Sequence, residues 1–150
     1  MLVLVDTNVL LRAADPAHVQ HALATNGLRI CRQAGHELCV VPQVHYEFWV
    51  VATRPLVQNG LGMSAAEADA ELRKIAPPLF RLLRDERAVY DLWRELVASR
   101  KILGKRAHDA RLVAAMQRHG VTCIMTFNIA DFQRYAGMKV FDPTKESLSL

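Results

Sequence analysis

Three acidic residues stand where the surrounding pattern calls for apolar ones, a fourth follows a strand nearby, and through them this chain could do chemistry. Asp6 ends the apolar run Leu2-Val3-Leu4-Val5. Glu47 follows Val44 by three positions and precedes Val51 by four, so on a helix it shares their inward face. Asp109 precedes Leu112, Val113 and Met116 by three, four and seven positions, so it opens the buried stripe of its helix. Asp131 comes shortly after an apolar segment ending at Met125, in company with Thr126 and Asn128. An isolated ionised carboxylate is costly to bury, and like charges packed together raise one another's pKa values. Acids gathered in one place therefore call for a cation. His108 is the one histidine beside a cluster acid and no cysteine joins the set. Oxygen donors of this kind suit Mg²⁺ or Mn²⁺ rather than zinc or copper. Such a site can polarise a phosphodiester, generate hydroxide at neutral pH and stabilise the leaving oxyanion. The chemistry expected is metal-dependent phosphodiester hydrolysis.

Each acid has a plainer reading alone. Asp6 with Thr7 and Asn8 could cap a turn, Glu47 could lie on a helix whose boundary is displaced by a residue, and Asp109 could simply favour a helix N-terminus. The elements that must position them decide between the readings. Leu2 to Val5 is β-rich and apolar on both faces, as expected of a central parallel strand. Asp15-Pro16 predicts a helix start, with the helix running to about Ala34 and closed by Gly35. A strand over Leu38 to Val41 precedes a helix over Pro42 to Thr53, and Arg54-Pro55 with Asn59-Gly60-Leu61-Gly62 forms a loop. Ser64 and Glu67 make a capping box for a helix that stops before Pro77-Pro78. A weaker strand is expected within Leu79 to Leu83, then helices from Asp85 to Arg100 and from Lys105 to His119, the latter ended by Gly120. Strands over Thr122 to Met125 and Lys139 to Phe141 complete the pattern. Strands alternating with helices imply a three-layer α/β/α sandwich with a mainly parallel sheet. Ligands of such sheets bind beyond the carboxyl ends of the strands. Asp6 lies at that edge, the helices of Glu47 and Asp109 both begin there, and Thr126, Asn128 and Asp131 follow a strand there. Topology thus sends Asp6, Glu47, Asp109 and either Asp131 or Asn128 to one place.

Composition narrows the class. The chain has 150 residues, a length suited to a single domain over 1–150, and 51% of them are hydrophobic, enough for a core. No apolar run approaches the roughly 20 residues of a membrane span, and Asp6 interrupts the N-terminal apolar stretch before it could resemble a secretion signal. Cys31, Cys39 and Cys123 lie among apolar neighbours without a Cys-x-x-Cys pair and read as reduced core thiols of a cytoplasmic protein. The formal net charge of +4 permits an anionic partner. Arg12, Arg54, Lys101, Lys105, Arg106 and Arg134 are candidate phosphate contacts, with Lys105 and Arg106 nearest to Asp109, and as a group they make a footprint for RNA.

Three segments carry a resemblance. Val3-Leu4-Val5-Asp6-Thr7-Asn8-Val9-Leu10-Leu11 resembles the opening motif of PIN-domain nucleases. Gly104-Lys105-Arg106-Ala107-His108-Asp109-Ala110-Arg111-Leu112 is similar to their third-acid helix, and Thr126-Phe127-Asn128-Ile129-Ala130-Asp131-Phe132 to their final motif. Glu47 occupies the place of their second acid, and the short chain most resembles the VapC-like toxins of toxin–antitoxin pairs. The resemblance implies a sheet ordered 3-2-1-4-5, one or two Mg²⁺ or Mn²⁺ ions, endoribonuclease activity, a homodimer and an antitoxin protein that blocks the site. It makes Asp6, Glu47 and Asp109 the core acids, with Thr7 and Asn8 as supporting polar groups and Thr126 as a hydroxyl that orients water or a ligand. In the commoner final motif an acid stands two residues after the threonine. Here Asn128 takes that place and Asp131 comes later, so either completes the set.

Other readings are a catalytically silent RNA- or protein-binding module on the same scaffold, and a housekeeping RNA-processing nuclease. A phosphatase of the haloacid dehalogenase type would want Asp-x-Asp at the first strand, where this chain has Asn8.

Overall fold

A computed structural model describes residues 1–145; the last five residues of the expected 1–150 domain lie outside the described residues. Among the described residues, five strands form one sheet: β1 (Leu2–Val5), β2 (Glu37–Val40), β3 (Arg81–Leu82), β4 (Cys123–Met125) and β5 (Lys139–Phe141). Their order is β3-β2-β1-β4-β5, with every pairing parallel. The most apolar strand takes the centre. Val3, Leu4 and Val5 are fully buried, so both faces of β1 are covered, as a sandwich requires. Register places Val3 beside Leu38 on one side and Cys123 on the other. The three cysteines are buried free thiols in this core.

Among the described residues, seven α-helices surround the sheet: α1 (Thr7–Ala13), α2 (His21–Gln33), α3 (Pro42–Thr53), α4 (Ala65–Lys74), α5 (Arg87–Ser99), α6 (Arg106–His119) and α7 (Ile129–Gln133). Helix α1 packs on α2 and α3, α3 on α4, and α5 on α6. The capping box of α4 forms as expected: Glu67 N–H donates to Ser64 Oγ, and Ser64 N–H to Glu67 Oε2. Gly120 ends α6 in the left-handed conformation at φ +67°.

The structure departs from the expected elements in two boundaries and two added helices. The helix expected from Asp15-Pro16 starts only at His21, because Asp15 instead closes a turn by accepting from Ala17 N–H at 3.1 Å. Before that turn lies α1, which was not expected, and α7 was likewise unforeseen. The strand sought over Leu79 to Leu83 shrinks to the two exposed residues of β3.

Candidate active site

The carboxyl edge of the sheet opens into a cleft of about 1040 Å³. Its lining includes Asp6, Glu47, Asp109 and Asp131, together with Thr7, Asn8 and Asn128 and the cationic Arg54, Lys105 and Arg106. The backbone delivers them as the alternation of strands and helices implies. Asp6 directly follows β1, α3 brings Glu47 from the turn after β2, and the first turn of α6 presents Asp109. The segment after β4 carries Asn128 and Asp131.

Asp6 is 7% exposed. Its carboxylate does not close a capping bond onto the turn that follows. Instead Oδ2 accepts from Asn8 Nδ2 and from Thr126 Oγ1, both at 2.7 Å. Asn8 also donates to Thr126 Oγ1 at 3.1 Å and accepts from Phe127 N–H through Oδ1, and Asn128 N–H donates to Thr126 Oγ1 at 3.0 Å. The Thr126 hydroxyl therefore gives its one proton to Asp6 and takes two in return. This side-chain network converges on a single carboxylate oxygen, Oδ2. Burial pushes the Asp6 pKa up to about 6; the Thr126 bond opposes the shift, and the charges of Glu47 and Asp109 add to it.

Glu47 is clamped at both oxygens. Thr7 Oγ1 donates to Oε2 at 2.9 Å and Gln43 Nε2 to Oε1 at 2.8 Å. Gln43 is a buried residue that the sequence reading missed. Its amide nitrogen also donates to the His108 carbonyl at 2.9 Å, and its oxygen accepts from Arg111 Nη1 at 3.1 Å. Arg111 in turn donates to Asp85 Oδ1 at 3.0 Å. Arginine only donates, so it fixes which end of the Gln43 amide faces the acid. One side chain thus ties Glu47 on α3 to the residue preceding Asp109 on α6. The available signal was the position of Gln43, four before Glu47 on the same helix stripe; its partners lie some 65 residues away and leave no local mark.

Asp109 is partly buried, and its pKa is raised by burial first, then by the charges of Asp131 and Glu47, against the opposing charges of His108 and Arg134. Asp131 is itself paired with Arg134 at 2.9 Å. Asn128 is exposed at the start of α7. Both alternatives for the fourth position therefore line the cleft. Arg12 does not: it lies in a neighbouring hollow, its guanidinium 4.5 Å above the Phe127 ring and donating to the Asn8 carbonyl at 3.0 Å. Lys105 and Arg106 are exposed at the mouth of the cleft.

A five-stranded parallel sheet ordered 3-2-1-4-5, with acids from four separate segments meeting beyond its carboxyl edge, defines a class. The sequence pattern of the PIN domain matches residues 3–138, and the chain belongs to the PIN domain family. It is 32% identical over 146 residues to ribonuclease VapC24 of Mycobacterium tuberculosis, covering 93% of this chain and 94% of that protein. Among solved structures, VapBC2 of Rickettsia felis, bound to a DNA fragment from its promoter, aligns with a TM-score of 0.69 at 12% identity, over 95% of this chain and 98% of that one. VapC20 of Mycobacterium tuberculosis, a toxin that cleaves the sarcin–ricin loop, aligns with a TM-score of 0.61 at 16% identity, over 81% and 86%. These structural likenesses bear on the fold.

Proposed function

We propose that this protein is a metal-dependent endoribonuclease, the toxin of a toxin–antitoxin pair, acting in the cytoplasm and blocked by an antitoxin protein bound over its cleft. The observation that carries the reading is the meeting of Asp6, Glu47 and Asp109 in one open cleft with cations at its mouth. The near full-length likeness to a VapC ribonuclease supports the activity. A homodimer and the antitoxin are what membership of this family implies, and the structural likeness to a VapBC protein agrees with the latter.

The donor set fits a hard divalent cation. Among the described residues no three His, Cys, Asp or Glu side chains already encircle an ion position. Mg²⁺ retains several waters and takes only one or two direct carboxylates, so a looser ring of acids suits it. Asp6, Glu47 and Asp109 would hold Mg²⁺ or Mn²⁺, directly or through its waters, with Asp131 or Asn128 completing the set. When bound, the ion supplies charge stabilisation to the phosphate oxygens and lowers the pKa of its water. The rest is the work of the chain. Thr126 and Asn8 fix the Asp6 carboxylate in one orientation, and Thr7 and Gln43 do so for Glu47. Lys105 and Arg106 draw the RNA backbone to the mouth of the cleft, and Arg54 meets it from α3's end. Carboxylates left free of the ion accept hydrogen bonds from the attacking water and orient it.

The test is cleavage of a labelled RNA pool with EDTA, Mg²⁺ or Mn²⁺, beside Asp109→Asn. Cleavage that needs metal and is lost in the variant is expected. Folded protein that cleaves nothing with either metal, and shows no metal-linked rise in melting temperature, would leave a binding module instead.

A further inference from the structure

Beside the cleft lies a second cavity of about 410 Å³, lined by Arg100, Lys101, Ile102, Leu103, Arg106, Arg134 and Tyr135. Four of these seven side chains are cationic and none is acidic. We propose that it is a phosphate-binding subsite for the single-stranded RNA that runs on from the cleft, an inference that rests on the ribonuclease reading above.

Sequence concentrates the charge: Arg100-Lys101-Ile102-Leu103-Gly104-Lys105-Arg106 carries four cations and no acid. The fold then divides them. Arg106 lines both cavities, and Arg134, which lines the second, is paired with Asp131, which lines the first. A strand seated at the acids therefore meets this cavity next, across a wall made of the two arginines. The arginine at its far side is set in place. Arg100 lies 5.1 Å over the Tyr135 ring and donates to the Arg134 carbonyl at 3.3 Å, so its guanidinium needs little reordering to accept a phosphate. Lys101 holds a left-handed backbone at φ +52°, a conformation that disfavours a lysine. The turn is the one that ends α5: Lys101 N–H donates to the Ala98 carbonyl and Ile102 N–H to the Val97 carbonyl, and it sets Lys101 on the cavity wall. Leu103, 81% exposed on the same wall, offers an apolar surface to a base or ribose.

The experiment measures binding of a fluorescent single-stranded RNA to the full-length chain carrying Asp109→Asn, which blocks cleavage, over a range of salt. Each phosphate contact to a single strand contributes a slope of about −0.7 in log K against log salt. Adding Lys101→Asn should make the slope shallower by about 0.7 and weaken binding at every salt concentration. Asparagine tolerates the left-handed backbone, so the loop keeps its shape and thermal melting should show an intact fold. Arg32→Gln, which removes an exposed cation from α2, should leave the slope unchanged. An unaltered slope in Lys101→Asn, with wild-type protein still cleaving RNA, overturns the subsite and spares the nuclease. Equal loss of slope in Arg32→Gln overturns it too, by showing that diffuse charge is responsible. Wild-type protein that neither binds nor cleaves RNA removes both readings together.

Discussion

At Asp6, burial and the charges of Glu47 and Asp109 push the carboxyl from its ordinary 3.8 up to about 6. Between those two values the folded protein holds a proton that the unfolded chain has released, so metal-free stability falls as pH rises through this window and stays lower above it. The shift corresponds to at most about 3 kcal/mol. Denaturant unfolding in EDTA should show wild-type protein losing stability from pH 4 to 7, and Asp6→Asn losing distinctly less; parallel profiles would contradict the burial argument. Gln43→Ala tests the clamp on Glu47. Removing an outer hydrogen-bond partner of this kind typically costs about 10–100-fold in metal affinity or activity, so the Mg²⁺ needed for half-maximal cleavage should rise while the fold persists. An unchanged Mg²⁺ requirement would mean that Thr7 alone fixes Glu47. Asp6, Glu47 and Asp109 were legible in the sequence because each broke an apolar pattern, and Asp131 because it follows a strand at the same edge. Gln43 and Arg111 were not, because a polar residue acquires such a role only from partners that tertiary structure supplies. Asn8 and Thr126 were visible as neighbours of the acids, but not the convergence of both on a single Asp6 oxygen.

The elements follow the same division. Long segments with a strong apolar stripe and a stop signal, such as α3 and α6, emerge from pattern alone. Helix α1 escaped because it is seven residues long and the Asp15-Pro16 pair after it reads equally as a helix start or a turn. Strand β3 escaped definition because both of its residues are exposed, and only its pairing with Cys39 and Val40 makes it a strand. In the loop after α3 the backbone leaves no latitude. A Cβ at Gly60 would stand 1.9 Å from the Arg54 carbonyl oxygen, and Gly62 N–H donates to that same oxygen at 2.9 Å. Gly60→Ala should therefore destabilise the protein by about 1–3 kcal/mol and displace Arg54 from the cleft, read as weaker RNA binding. By contrast Ser64→Ala, which removes the capping box of α4, should cost about 1 kcal/mol and leave cleavage untouched.

For the whole molecule, the sandwich was legible because a parallel sheet demands strands apolar on both faces, and β1 supplies the clearest example. On the proposed reading, the gathering of acids at one edge should make stability depend on cation. At 100 times its dissociation constant, an ion that binds only the folded state adds about 2.7 kcal/mol, a rise of about 5–10 °C in melting temperature for a chain of this size. Mg²⁺ at pH 7 should produce such a rise in wild-type protein and a much smaller one in Asp109→Asn; equal rises would place the ion elsewhere. The connectivity of the sheet has a temporal consequence as well. The central strand is made first, yet one of its two neighbours is β4, and Asp6 is bonded to Thr126, 120 positions later. Synthesis proceeds from the N-terminus at roughly 5–20 residues per second, so for several seconds the nascent chain carries Asp6 beside an empty strand position. Only when Met125 and Thr126 have left the ribosome can the cleft close. The proposed nuclease site is thereby withheld from the nascent chain until its fourth strand has been made.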